Sequence, residues 1–258
     1  MASETVGAQR SGGQGPLITA LLENSPPDAA LKREPLKGDD APDCMVAPGG
    51  RRAAVIVFTG MAGRVGMPLA LFDRYLAELD LTAVYLRDPR GMAFFGGVPS
   101  LGPDYDSTLV RLKELMVDVG AMTVHTLGNL SGGVAAVSYG LDLRARAVVG
   151  FSAPVLLTPE AAAADQRASV FPRRALEAVP ASRRDLLARA MATRGQTRVH
   201  LHFNARSAED RMHAEALESA PCVSLHPALD PGDNGLLVAT ALAGRMRGLM
   251  RETFGEKD

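Results

Sequence analysis

A glycine-rich segment between two apolar stretches is the part of the sequence best suited to hold a reactive group. It runs from Thr126 to Val134 and connects a predicted strand to a predicted helix. A residue at the apex of a sharp strand-to-helix turn has strained backbone angles, and small residues two positions before and after it relieve the crowding. Gly128 and Gly132 have that spacing around Leu130, whereas Ser131 would have an asparagine on its N-terminal side. We therefore predict that Leu130, which carries no nucleophilic atom, is the apex.

The five histidines are the candidates for a general base or a metal ligand. His200 and His202 alternate with apolar residues, so they share one face of a predicted strand. As a metal pair they lack a third ligand, and we expect neither a metal nor another cofactor. His226 directly follows a predicted strand and could act as a base. We expect His125 in the core and His213 on the surface of a helix.

A second glycine-rich segment, from Thr59 to Gly66, supports an alternative reading. It follows a predicted strand and has the T-G-x-x-G-x-x-G form of some short-chain dehydrogenases, whose glycines let a dinucleotide phosphate approach a helix N-terminus. Arg87 and Asp88, after the next strand, could contact a ribose or its 2′-phosphate. Those enzymes also need a lysine four residues after a tyrosine. The four tyrosines are instead followed at that distance by Leu79, Pro89, Leu109 and Leu143.

The elements that would position these groups alternate between strands and helices. Continuous apolar runs predict buried strands, and apolar residues at helical spacing predict helices. The predicted strands are 53–59, 81–86, 122–127, 145–151, 198–203 and 222–225, and the predicted helices are 68–79, 105–119, 132–139, 208–219 and 235–250. This alternation predicts an α/β fold, with a mostly parallel sheet covered by helices on both faces and active groups at the carboxyl ends of the strands.

Two regions depart from this alternation. Residues 152–196 contain only short helical pieces, which predicts a small helical cap insertion. Residues 1–52 are rich in glycine, proline, serine, aspartate and alanine, with one short apolar patch at 17–22. Such a segment buries little apolar area against its ordering entropy, so we expect it to be mostly disordered or loosely packed. The folded domain is then expected to span residues 53–258.

Composition excludes several classes of partner. A formal net charge of −1 over 258 residues gives no electrostatic footprint for nucleic acid or an anionic membrane. Only two cysteines occur, far apart at Cys44 and Cys222, which favours a reducing compartment. The first sixteen residues lack the apolar core of a signal peptide, and no apolar run reaches the roughly 18 residues of a membrane helix. We expect a cytoplasmic protein that binds neither nucleic acid nor membranes.

Several motifs together resemble the bacterial α/β-hydrolases. The turn and its helix are similar to the G-x-S-x-G-G elbow of that family, through Gly128-Asn-Leu-Ser-Gly-Gly133, Ala135-Ala136 and Tyr139-Gly140. The resemblance extends from residue 53 to about residue 250, through Phe58-Thr-Gly60, Tyr85-Leu-Arg-Asp88 and Phe151-Ser-Ala-Pro154. In this register the nucleophilic serine of the family falls on Leu130.

The resemblance also implies positions for the other two members of a Ser-His-Asp triad. Asp210 best matches the acid, although Ser207 as a helix N-cap with Asp210 at the third helical position explains this residue equally well. The histidine position reads Asn234, which cannot act as a general base, and His226 could replace it. An oxyanion hole needs only backbone donors.

In this fold the oxyanion donors come from the residue after the nucleophile and from the loop after the first strand of the domain. The resemblance assigns them to the N–H groups of Ser131 and of Met61, in the loop that begins at Gly60.

Three functions remain open at this point. The leading hypothesis is an α/β-hydrolase-like scaffold without standard hydrolysis, which serves in binding, regulation or non-hydrolytic chemistry with a small-molecule or acyl ligand, or a protein partner. The second is an active, esterase-like serine hydrolase with a displaced set of Ser131, His226 and Asp210. The third is an NAD(P)-dependent oxidoreductase that uses residues 59–66.

Overall fold

A seven-stranded sheet forms the centre of the protein in the computed structural model, which describes residues 15–38, 43–60, 62–165, 167, 173–229 and 235–255. The strand order is β1-β3-β2-β4-β5-β6-β7. The strands are β1 (Cys44–Ala47), β2 (Ala53–Phe58), β3 (Thr82–Leu86), β4 (Thr123–Asn129), β5 (Ala147–Phe151), β6 (Arg198–Asn204) and β7 (Val223–Ala228). All neighbouring pairs are parallel except β1 with β3, which confirms the predicted mostly parallel sheet.

Helices cover both faces of this sheet. In the described residues they are α1 (Pro16–Glu23), α2 (Leu69–Glu78), α3 (Tyr105–Asp118), α4 (Ser131–Asp142), α5 (Pro159–Ala164), α6 (Arg173–Ala178), α7 (Ala181–Arg184), α8 (Leu186–Ala192), α9 (Ala208–Glu215), α10 (Leu236–Leu242) and α11 (Met246–Phe254). Every residue of β2, β3 and β5 is buried, because these strands have a helical layer on each side. One apolar core includes residues of α3, α4 and α8, and the other includes residues of α2, α10 and α11.

The direction in which strands are added reverses between β2 and β4. β3 lies on one side of β2, and the chain then crosses to β4 on the other side and continues outwards to β7. In open α/β sheets, ligands bind outside the carboxyl ends of the strands at such a switch point. The two glycine-rich segments follow β2 and β4, so both lie at this position.

The N-terminal part of the chain differs from our expectation. Leu21 of α1 is buried, and β1 is an integral strand of the sheet. Arg33 forms a buried ion pair with Asp73 of α2, and its Nη1 lies 2.7 Å from Asp73 Oδ2. The expected boundary near residue 52 therefore does not separate residues 15–38 and 43–52 from the domain. Sequence reasoning missed these contacts because a composition argument does not register single buried ion pairs or a four-residue edge strand. Residues 1–14 and 39–42 lie outside the described residues.

Residues 152–196 contain helices α5 to α8 and, where described, no strand, as predicted for the insertion. α8 is fixed to α4 because Arg189 donates to Asp142 and to the Ser138 carbonyl.

The helix predicted at 235–250 is instead two helices, since Gly244 has a φ of 68° and ends α10. None of the helices that the structure describes has the length and apolarity that crossing a bilayer requires.

Candidate functional site

Leu130 lies at the apex of the turn between β4 and α4, as the glycine spacing predicts. Its φ and ψ are 54° and −120°, a backbone conformation that costs a non-glycine residue about 1–2 kcal/mol. The Leu130 N–H donates to the Phe151 carbonyl at 2.9 Å, which fixes the turn to the end of β5. The Leu130 side chain is partly exposed. The apex of this sharp strand-to-helix turn is thus occupied by an aliphatic side chain.

Gly128 and Gly132 make this conformation possible. A Cβ atom on Gly128 would lie 2.0 Å from the Gly132 carbonyl oxygen, and a Cβ on Gly132 would lie 2.1 Å from the Phe58 carbonyl oxygen. Neither backbone oxygen can move without separating α4 from the sheet. The steric reasoning that places Leu130 at the apex is therefore confirmed at both flanking positions.

The first turn of α4 presents backbone N–H groups beside the apex. Leu130 provides no side-chain cap, and the first intrahelical bonds run from Gly133 and Val134 to the Leu130 carbonyl. The Ser131 N–H precedes these bonds and has no backbone acceptor among the described residues, as expected at a helix N-terminus. Gly60, at the end of β2, uses its own N–H to bind the Arg64 carbonyl at 2.8 Å. Met61, the second donor implied by the resemblance, lies outside the described residues.

The Ser131 hydroxyl has no base beside it in the described part of the chain. The residue is only 3 % exposed, and no described histidine or carboxylate forms a hydrogen bond with its side chain. An activated serine needs a base within about 2.6–3.2 Å, or somewhat further in the absence of substrate. Ser131 serves here as the first residue of α4.

Asp210 is fully engaged by partners other than a histidine. Its carboxylate accepts hydrogen bonds from the Ser152 hydroxyl at 2.8 Å, the Asn204 N–H at 2.8 Å and the Arg167 guanidinium. The Asp210 N–H also donates to Ser207, so the N-cap interpretation of this segment is correct. Sequence reasoning missed Ser152 and Arg167, although Ser152 directly follows a strand whose carboxyl end was expected to carry active groups.

His213 is buried, which corrects our expectation of a surface residue. Its Nδ1 accepts from the Leu156 N–H at 3.2 Å, and its Nε2 lies 3.1 Å from Asp165 Oδ2. Burial lowers the pKa of His213, and the hydrogen bond with Asp165 offsets this only in part. Burial by itself would raise the pKa of Asp165, but hydrogen bonds from Arg167 and His213 bring it below its usual value. These residues join the insertion to α9.

His226 belongs to a stack of rings that crosses three strands. Phe151 pairs in register with His202, and His202 with His226, so their rings stack with centroids 4.8 Å and 4.5 Å apart. His200 Nδ1 lies 3.1 Å from His226 Nε2. Burial lowers the pKa of His226, and burial with the neighbouring histidines lowers the pKa of His202 to about 3. The described hydrogen-bond partner of His226 is therefore His200, and not Ser131 or Asp210.

No hydrogen bond between described residues joins any two of Ser131, His226 and Asp210. Asn234, the expected histidine position, lies outside the described residues. His125 is buried in the core as predicted. Among the residues that the structure covers, no group of three or more histidine, cysteine, aspartate or glutamate side chains could hold a metal ion.

Comparisons with solved structures find the same fold. MGS-MChE2, an α/β-hydrolase enzyme from the metagenome of sediments of the lagoon of Mar Chica, Morocco, matches with a TM-score of 0.55 and 15% identity over 83% of this chain and 95% of that chain. Est1E from Butyrivibrio proteoclasticus matches with a TM-score of 0.58 and 7% identity over 83% and 94%. The capsule O-acetyltransferase of Neisseria meningitidis serogroup A matches with a TM-score of 0.52 and 12% identity over 82% and 92%.

The chain thus has the α/β-hydrolase fold, as the sequence motifs predict. At these identities the likeness concerns the fold alone. No protein-family model and no curated protein matches the chain.

The oxidoreductase alternative gains no support from this topology. The dinucleotide-binding strand order is 3-2-1-4-5-6, with a third parallel strand beside the second. Here the neighbour of β3 is the antiparallel β1, which precedes β2 in the chain. The loop of residues 59–66 folds back on itself through the Gly60–Arg64 hydrogen bond and a Gly63 N–H bond to the Gly60 carbonyl.

Proposed function

We propose that this protein is a non-hydrolytic member of the α/β-hydrolase fold that binds a small carbonyl-bearing or acyl ligand at the apex of its elbow. The observation that carries the proposal is Leu130 at φ 54° and ψ −120°, the position from which a nucleophile would attack. A ligand there would meet an aliphatic side chain and the free N–H of Ser131, which can bind a carbonyl or carboxylate oxygen but cannot form a covalent bond with it.

Two unpartnered polar atoms support a ligand that carries a polar group. The Thr59 hydroxyl and Asp88 Oδ1, after β2 and β3, are buried and have no hydrogen-bond partner within the described ranges. Buried polar atoms normally have partners, so these two atoms, in the segments that follow β2 and β3, favour an ordered water or a ligand group beside them. Both carboxylate oxygens of Asp210 are already bound, Oδ1 by Arg167 and Oδ2 by Ser152 and Asn204, and no described histidine is among these partners.

Hydrolysis is tested first, with a fluorophosphonate probe for activated serines and with activated aryl esters. We expect neither labelling nor turnover by the natural sequence. Stoichiometric labelling that is lost in Ser131→Ala would overturn the proposal in favour of the displaced set of Ser131, His226 and Asp210.

Restoring the nucleophile gives a sharper test, with Leu130→Ala as the matched control for loss of the leucine side chain. Leu130→Ser restores only a hydroxyl, so the second change Asn234→His is needed to supply a base. A general base contributes about 10²–10⁴-fold, and nucleophile and base act as a unit. We expect the double variant to hydrolyse aryl esters well beyond either single variant. A folded double variant no faster than Leu130→Ser would show that Asn234 does not occupy the histidine position.

Binding itself is tested with a series of linear carboxylates from acetate to octanoate, by calorimetry. We expect affinity to rise with chain length, because the tail packs near Leu130, and to be lost in Leu130→Asp, which opposes a carboxylate. A series that binds equally well to Leu130→Asp would place the ligand elsewhere.

A further inference from the structure

A cavity of about 390 Å³ lies at the opposite end of the sheet from the elbow. It is formed where α4 and α8 end, just before β5 and β6 begin. Its lining includes Asp142, Arg144, Arg189, Arg194, Gln196 and Thr197. None of these residues belongs to the site at Leu130, so the cavity is a separate feature of the fold.

Arg144 and Arg194 occupy positions where this chain elsewhere uses glycine. Each lies two residues after the last residue of its helix, with φ of 52° and 50°. Helices end most easily with glycine in this left-handed conformation. Gly120 after α3 and Gly244 after α10 do so, with φ of 67° and 68°. The two arginines therefore hold a strained backbone that glycine would relieve, and both line the same cavity.

Neither of these guanidinium groups is neutralised within the described part of the protein. Arg144 and Arg194 are exposed and have no ion pair or side-chain hydrogen bond there. Asp142, the acid in the lining, is bound by Arg183 and by Arg189, whose Nη2 lies 2.8 Å from Asp142 Oδ1. The charge of Asp142 is thus compensated without Arg144 and Arg194, and the cavity keeps an excess of positive charge.

A buried hydroxyl adds an independent observation. Thr197 lines the cavity and is fully buried, yet its Oγ1 has no hydrogen-bond partner among the residues that the structure describes. An unpaired buried hydroxyl is unfavourable, and an acceptor in the cavity would satisfy it. Further positive charge comes from Arg146 and Arg198, exposed at the beginning of the two strands and joined by a backbone hydrogen bond of 3.1 Å.

The end of helix α4 does not leave unpaired carbonyl groups that would oppose an anion. The carbonyl groups of Tyr139, Gly140 and Leu141 at the end of α4 accept backbone N–H bonds from residues 143–145, so they are satisfied. The groups left to meet a ligand are two guanidinium groups and a hydroxyl. Arginine and hydroxyl donors that line one cavity can bind a tetrahedral oxyanion, because each of its oxygens can accept a hydrogen bond, charge-assisted where the donor is arginine.

We infer that the cavity between the ends of α4 and α8 is a binding site for a phosphate group, with Arg144, Arg194 and Thr197 as its ligands. The volume exceeds that of phosphate alone and accommodates a small phosphorylated molecule. The same chemistry can come from a free phosphate ester or from a phosphorylated lipid headgroup. The site is independent of the proposed function of the elbow.

The test uses the full chain at constant ionic strength in chloride, with inorganic phosphate, glycerol 3-phosphate and vesicles containing phosphatidic acid as probes. Arg144→Gly and Arg194→Gly remove the guanidinium groups and relieve the backbone together. We expect each to weaken binding about tenfold, with an unchanged or higher melting temperature. Arg211→Gln, on α9 at the other end of the sheet, is the matched loss of charge and should leave binding unchanged.

The outcomes separate the sources of the phosphate group. Saturable binding of glycerol 3-phosphate, lost in the double glycine variant, supports the site with a soluble ligand. Vesicle binding that depends on phosphatidic acid and on both arginines supports it with a lipid headgroup. The phosphate site is refuted if no probe binds saturably at concentrations up to about 10 mM. It is also refuted if the double glycine variant binds the probes as well as the natural chain does.

Discussion

Replacing Arg33 by methionine tests how firmly the N-terminal segment belongs to the domain. The Arg33 Nη1 and Nη2 atoms each lie 2.7 Å from one carboxylate oxygen of Asp73, and Arg33 Nε donates to the Leu81 carbonyl at 2.9 Å. The side chains of Arg33 and Asp73 are 7 % and 0 % exposed. Methionine preserves most of the aliphatic volume but leaves the aspartate buried without its cation.

Breaking a buried ion pair from one side costs about 3–5 kcal/mol, because the remaining charge is uncompensated. Asp73 keeps its hydrogen bonds from the Tyr85 hydroxyl, at 2.5 Å, and from the Leu36 N–H, at 2.9 Å. These bonds limit the loss, so we expect about 3 kcal/mol. For a domain of this size, 1 kcal/mol corresponds to roughly 2–4 °C, which gives a fall in melting temperature of roughly 10 °C.

The assay is urea unfolding followed by circular dichroism, with melting temperature as a second measurement. Lys37→Met is the matched control, since its ion pair with Glu34 is more than four-fifths exposed on both sides and should contribute less than about 1 kcal/mol. Arg33→Met with Asp73→Asn should recover part of the loss, because the buried charge is gone. A loss below about 1 kcal/mol in Arg33→Met would refute the packing of residues 15–38 on the domain.

Two further predictions concern stability. His200 and His202 have pKa values lowered to about 4 and about 3 by burial, so the unfolded chain binds more protons below about pH 6.5 and stability falls as the pH falls through that window. Between pH 7 and pH 5 the half-buried His202 accounts for a loss of about 2 kcal/mol in the free energy of unfolding. Urea unfolding of His202→Phe should therefore show a loss smaller by about that amount over the same pH interval. Gly132→Ala should prevent stable folding, since its Cβ would lie 2.1 Å from a backbone oxygen, whereas Gly248→Ala, with open space around the Cβ, should melt within a few degrees of the natural chain. A soluble Gly132→Ala with an unchanged melting temperature would mean that the turn has another conformation.

The sequence predicts those parts of the fold that depend on neighbouring residues. β2 and β5 are continuous apolar runs because helices cover both faces of the sheet, and this pattern can be recognised without knowing which helices do so. The apex at Leu130 is likewise local, since the clash is set by glycines two residues away. The break at Gly244 was missed, although a glycine within a predicted helix is a possible end.

Contacts between distant segments could not be predicted in this way. Arg167 reaches Asp210 across 43 positions in the chain, and nothing near either residue indicates the other. His213 is buried because the insertion places Asp165 against it, and the helical pattern of α9 alone does not contain that information. The histidine stack requires the register between β6 and β7, which is set by pairing across the sheet.

The elbow shows how a strained backbone can persist without a reactive side chain. Leu130 is held by the Phe151 carbonyl, by the close approach of Gly132 to Phe58, and by the first turn of α4, whose residues are buried. These contacts belong to β2, β5 and α4, so relaxing the apex would cost packing throughout the centre of the sheet. A change of side chain at this position therefore leaves the backbone, and with it the Ser131 N–H, in place. The binding that we propose at the elbow depends on that backbone, whereas hydrolysis would depend on the side chain, so the two properties should be separable by substitutions at Leu130.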